Sequence, residues 1–154
     1  MRKIISYLSI ALIMVFLASC ETEARYKFIH DPSDIAAIEI IEVGEENSQG
    51  SIDQTTVCVV HDIKAFMNDF TQLTCYYLYT DPVGIEKNST VIKIIYNNND
   101  YELISASGQA RCINGQYNNY VGYRYFDQEQ YEALISKYSD PRRSSFGQPK
   151  SNRA

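Results

Sequence analysis

The chain has 154 residues, 14 basic and 19 acidic side chains, a net charge of −5 and two histidines. That length supports one domain with a modest core and is short for two. An acidic surface repels phosphates, so nucleic acid is excluded as an expected partner.

The chain opens Met1-Arg-Lys-Ile-Ile-Ser-Tyr-Leu-Ser-Ile-Ala-Leu-Ile-Met-Val-Phe-Leu-Ala-Ser-Cys20. Arg2 and Lys3 precede an apolar run from Ile4 to Leu17, which ends in small residues and a cysteine. Fourteen residues from 4 to 17 fall short of the roughly twenty that cross a bilayer core. The segment therefore reads as a signal peptide rather than a permanent span. Leu17-Ala-Ser-Cys20 resembles the bacterial lipobox. That resemblance implies cleavage before Cys20, a diacylglycerol on its sulfur and attachment to the extracytoplasmic face of the cell membrane. More than one acyl chain is needed for stable anchoring. The expected division is 1–19 signal peptide, 20–29 lipidated N-terminus and spacer, 30–140 one domain, and 141–154 a flexible basic tail.

Without Arg2 and Lys3 the remaining chain has 12 basic and 19 acidic side chains, a net −7. Between Tyr26 and Asp140 the imbalance reaches 7 against 17, which is compatible with a basic protein partner. Of four cysteines, lipidation of Cys20 leaves Cys58, Cys75 and Cys112. One pair at most can bridge, and spacing does not choose it.

Ile35 to Val43 is rich in β-branched residues and predicts a first strand, although Glu39 and Glu42 break strict alternation. Gly44 to Asp53 predicts a loop, and Thr55 to His61 a second strand. Asp62 has the chemistry of an N-cap. Ile63, Phe66, Met67, Phe70 and Leu73 then form one apolar helical stripe. Cys75 to Thr80 predicts a tyrosine-rich strand. Val91 to Tyr96 and Tyr101 to Ala106 predict a hairpin about Asn97-Asn-Asn-Asp100. Ala110 to Ile113 leads into Asn114-Gly115, a strong two-residue hairpin signal. Tyr120 to Phe126 predicts a last strand. Asp127 and Gln130 have the form of a capping box for a helix carrying Tyr131, Leu134, Ile135 and Tyr138. Leu134 and Ile135, central in that stripe, are expected to be its most buried members. Pro141 ends the helix.

The order β-β-α-β-β-β-β-β-α predicts an α+β fold: an antiparallel sheet of five to seven strands with two helices on one face.

No phosphate-loop, nucleophile-elbow, zinc-protease or calcium-loop motif occurs, so no cofactor, metal or catalytic residue is assigned. His30 reads as a solvated loop residue. His61 and Cys58, three residues apart on a strand, point to opposite faces. The expectation is a protein that is not an enzyme, with a small enzyme of dispersed site as the alternative.

Thirteen tyrosines and no tryptophan are unusual. Tyrosine joins an apolar ring to a polar tip and suits a soluble binding surface. Tyr76, Tyr79, Tyr120, Tyr123 and Tyr125 are the candidates for such a surface, with the partner undetermined. The simpler account is that they are core and ordinary sheet tyrosines. The arrangement from Ile35 to Tyr138, which ends in the aromatic strand and acidic cap Tyr123-Arg-Tyr-Phe-Asp127 and the helix Tyr131 to Tyr138, resembles uncharacterised small lipoproteins of Gram-positive bacteria, from which no activity follows. Ile104-Ser-Ala-Ser-Gly108 is similar to a stretch of the membrane-bound inhibitors of c-type lysozyme. Those are small barrels without a closing helix, and the resemblance implies a basic cell-wall hydrolase as an alternative partner.

Overall fold

The computed structural model describes residues 23–46, 52–77, 81–119, 121 and 124–139. Strands β1 to β9 are Glu23–Ala24, Ile35–Glu46, Ile52–Val59, Cys75–Tyr77, Thr90–Tyr96, Tyr101–Ile104, Gln109–Ile113, Gln116–Asn119 and Arg124–Phe126. Helices α1 and α2 are Ile63–Phe70 and Gln128–Ser139. The α+β class and the predicted order hold, with two strands added.

The strands form two antiparallel sheets. A six-stranded sheet has the order β3-β2-β5-β6-β7-β8, and a three-stranded sheet the order β1-β4-β9. Of the predicted strand from Tyr120 to Phe126, β9 covers Arg124–Phe126, and β8 is a separate strand ahead of it at Gln116–Asn119. β8 pairs with β7, whereas β9 crosses to β4. The crossing lets Phe126 enter the core, where its N–H donates to the Ala106 carbonyl at 2.7 Å.

The six-stranded sheet is buried on both faces, which explains the broken alternation of β2. Ile38, Ile92, Ile94 and Ile104 join the core that contains Phe66, Phe70, Tyr131 and Leu134 from the helices. Ile41, Val91, Leu103 and Ala110 form a second cluster, closed by Ile85. Adjacent apolar pairs such as Val91-Ile92 and Leu103-Ile104 therefore serve opposite faces.

Both hairpin signals are realised. Asn99 adopts φ 67°, and Asn114 and Gly115 adopt 52° and 77°, the left-handed geometry of a primed turn. Gly108 meets a different demand: a Cβ there would lie 1.9 Å from the Gly84 carbonyl oxygen. That approach seats the 81–85 segment on β7, where the Gln109 N–H donates to Val83 at 3.0 Å.

Asp62 caps α1 by accepting from the Ala65 N–H at 2.9 Å, and Phe66 and Phe70 are its buried residues. Asp127 caps α2 by accepting from the Gln130 N–H at 3.0 Å. The reciprocal half of the expected capping box is absent. The Asp127 N–H already donates to Thr74 O, and the Gln130 side chain accepts instead from the Thr74 N–H at 2.8 Å. The cap thus ties α2 to the chain entering β4. Asp127→Ala is expected to cost about 1 kcal/mol, read as a lower unfolding midpoint. An unchanged midpoint would mean that tertiary contacts alone hold that end.

On α2 the most buried stripe residues are Tyr131 and Leu134, whereas Ile135 and Tyr138 are half-buried. Tyr131 displaces Ile135 from the predicted pair because its hydroxyl finds a partner inside, the Ile104 carbonyl at 2.6 Å. Tyr138 turns its hydroxyl to Asp69 Oδ2 at 2.6 Å, beside Lys137. The hydrogen bond from Lys137, reinforced by that from Tyr138, holds the Asp69 carboxyl below its usual range.

Residues 23–29, expected as spacer, belong to the fold. β1 pairs with β4, and Tyr26, Phe28 and Ile29 pack on the core.

Candidate functional site

A groove runs along α2 from Gln128 to Ser136. One part, of about 550 Å³, lies between the three-stranded sheet and the start of α2. Tyr76 and Tyr125 form its wall, because they sit opposite each other in the β4–β9 register and project to the same face. Their rings stack at 5.1 Å between centroids, 25° from parallel. Val83, Ala106 and Phe126 supply apolar surface, and Asp127 and Gln128 close the helix side. The second part, of about 480 Å³, continues between α2 and the 86–90 segment, past Glu132, Ile135, Ser136 and Glu86. The two parts share Ala106, Ser107 and Gln128.

The β6–β7 turn shapes the floor. The Ser105 hydroxyl accepts from the Gly108 N–H at 2.7 Å, which leaves Ala106 and Ser107 facing the groove. Asn119 fixes the segment that carries the lining residue Val83 by accepting from the Ile85 N–H at 2.7 Å. The described lining contains the carboxylates of Glu86, Asp127 and Glu132 and no basic side chain. Its chemistry suits an uncharged or cationic ligand and rejects an anion.

Of the sequence-predicted surface residues, the structure brings Tyr76 and Tyr125 together. Tyr79, Tyr120 and Tyr123 lie outside the described residues, as does Cys20, the candidate for lipidation. Cys58, Cys75 and Cys112 are all free thiols. The Cys58 thiol donates to the Tyr138 carbonyl at 3.2 Å, and burial pushes the Cys75 thiol up. His61 is exposed at the strand end, before the Asp62 cap.

A second cluster escaped the sequence reading. His30 is not a solvated loop residue: its Nε2 lies 2.7 Å from Asp100 Oδ2, and Asp100 is buried. Asn98 Nδ2 donates to the same oxygen at 2.9 Å, and the Asn114 N–H donates to the other at 2.7 Å. The Asn114 bond, with those from His30 and Asn98, keeps the Asp100 carboxyl below its ordinary value.

Glu102, two residues on, is fully buried. Tyr26 Oη donates to its Oε2 at 2.7 Å, and the Tyr96 hydroxyl donates to Oε1. Burial pushes the Glu102 carboxyl up, against the pull of both tyrosines and Arg111. The Glu102 carboxylate is sealed from solvent, and both oxygens of Asp100 are occupied. Neither offers a substrate the open approach that acid–base catalysis requires. The cluster fastens residues 26–30 to the β5–β6 hairpin. Its only sequence signal was a charged residue inside an apolar strand. Among the described residues no three His, Cys, Asp or Glu side chains are grouped to hold a metal ion.

No protein-family model, curated protein or solved structure matches this chain.

Proposed function

We propose that this chain is a lipid-anchored cell-envelope protein whose domain binds, without transforming, a protein segment with an uncharged or basic surface. The observation that carries the reading is the groove: stacked tyrosines beside three carboxylates and no described basic side chain. Aromatic walls supply contact area at little entropic cost, and the carboxylates select charge. The lipobox-like segment supplies the anchor and the extracytoplasmic address.

A second reading, an inhibitor of a basic cell-wall hydrolase such as lysozyme, is favoured by the place of the Ile104–Gly108 stretch. Three of its residues, Ser105, Ala106 and Ser107, line the groove.

The test is capture of envelope proteins on the full mature chain, with lysozyme as a defined probe. Tyr125→Ala is expected to weaken a captured partner by at least about 2 kcal/mol, roughly 30-fold in affinity. Glu132→Lys should weaken a basic partner and reduce the salt sensitivity of binding. Partners held equally by wild type and both folded variants would remove the groove from the function.

A further inference from the structure

Each part of the groove has its own carboxylate and its own surroundings. At one end Asp127 lies in the same part as the stacked rings of Tyr76 and Tyr125. At the other, Glu132 on α2 and Glu86 on the facing segment share a part that Ser107 and Ser136 also line. Bonds within α2 occupy only one oxygen of each helix carboxylate. Asp127 Oδ1 accepts from the Gln130 N–H at 3.0 Å, and Glu132 Oε1 accepts from Gln128 Nε2 at 2.6 Å. Their second oxygens have no hydrogen-bond partner among the described residues. The lysines next in sequence to the lining are engaged elsewhere. Lys87 bonds Glu45 at 3.0 Å, and Lys137 bonds Asp69 at 2.5 Å.

The two ends select different cations. A guanidinium is planar, stacks on an aromatic face and bonds a carboxylate with its in-plane donors, so it suits the tyrosine wall beside Asp127. An ammonium is a compact charge with three donors, and it suits two glutamates with hydroxyls beside them. Spacing then decides what joins the two. Asp127 and Glu132 are five residues apart in sequence, about 7.5 Å along a helix axis. In an extended chain residues i and i+2 point to the same side and lie about 6.6–6.8 Å apart. Adjacent residues point to opposite sides and cannot both enter the groove.

We propose that the occupant of the groove is an extended segment carrying an arginine and a lysine two positions apart. The arginine stacks on the Tyr76–Tyr125 wall and bonds Asp127, and the lysine sits between Glu132 and Glu86. This inference rests on the reading of the groove as a binding site for a basic segment and names the pattern that the site reads.

The test uses the full mature chain and four capped, fluorescein-labelled glycine peptides of equal charge, followed by anisotropy. Two carry Arg-Gly-Lys or Lys-Gly-Arg, one carries Arg-Lys, and one carries Arg-Gly-Gly-Gly-Lys. One of the two alternate-position peptides should bind about tenfold tighter than the adjacent and the wider-spaced ones. Replacing its lysine by norleucine should weaken wild type but leave Glu132→Gln unaffected, since that exposed change removes the carboxylate the lysine meets and spares the fold. Equal binding of all four peptides, lost in Tyr125→Ala, would overturn the spacing and leave the groove as a binding site. Binding that both variants leave unchanged, or no binding at millimolar peptide, would overturn the inference together with the basic-segment reading beneath it.

Discussion

Phe70→Ala is expected to remove about 3–5 kcal/mol of stability, the range for truncating a buried aromatic. Phe70 is 2% exposed and stands where three parts of the chain converge. Its ring centroid lies 5.5 Å from Tyr26 and 5.8 Å from Phe28 of the entering segment, and 5.4 Å from Phe126 of β9. Phe66, one helical turn earlier, lies 6.2 Å away. Truncation opens a cavity that none of these can fill without leaving its own contacts in the entering segment, β9 or α1. Small domains have about 5–15 kcal/mol in total, so the loss is a large share. A thermal melt followed by circular dichroism should move down by on the order of 10 °C. A loss below about 1 kcal/mol would show that α1 and the entering segment are peripheral to the cooperative unit.

Glu102→Ala is expected to be nearly as damaging, for a different reason. It strands the hydroxyls of Tyr26 and Tyr96 in the core, and each buried unpaired group costs about 1–3 kcal/mol. Glu102→Gln keeps an acceptor and the shape, so it should cost much less at neutral pH. The two wild-type and variant pH profiles should also diverge. Burial holds the folded Glu102 carboxyl above its ordinary value, so the native state keeps a proton that the unfolded chain has released. Its contribution is complete below the unfolded value, near 4.3, and is lost as pH rises through the folded one. Wild type should therefore gain on Glu102→Gln as pH falls from neutral toward the unfolded value, near 4.3. Asp100 works in the opposite sense, since its lowered value makes its contribution fade only as pH falls through the folded value. Subtracting the variant's curve removes that common part. A difference that stays flat across this range would mean the Glu102 carboxyl titrates alike in both states.

The features legible in the sequence were the ones with short spacing. Asp62 and Asp127 cap helices because an N-cap needs only an N–H three residues away. Asn114-Gly115 turns because its backbone tolerates positive φ. Phe66 and Phe70, or Tyr131 and Leu134, share a face through helical periodicity alone. The same local patterns determined the α+β class and the rough order of elements along the chain.

What the tertiary structure decided depended on partners far along the chain. His30 meets Asp100 across 70 residues and Tyr26 meets Glu102 across 76. Periodicity carries no information at that separation, so the segment looked like a spacer and the histidine like a solvated loop residue. The division into two sheets was hidden for the same reason: β9 and β8 lie close in sequence, yet the burial of Phe126 sends one to β4 and leaves the other on β7. Gln130 was spaced to complete a capping box, but Thr74 had already taken the Asp127 N–H and offered its own. Tyr76 and Tyr125 were each visible as tyrosines on strands. Only the β4–β9 register stacked them, and only the packing of α2 against Ala106 turned the stack into the wall of a groove.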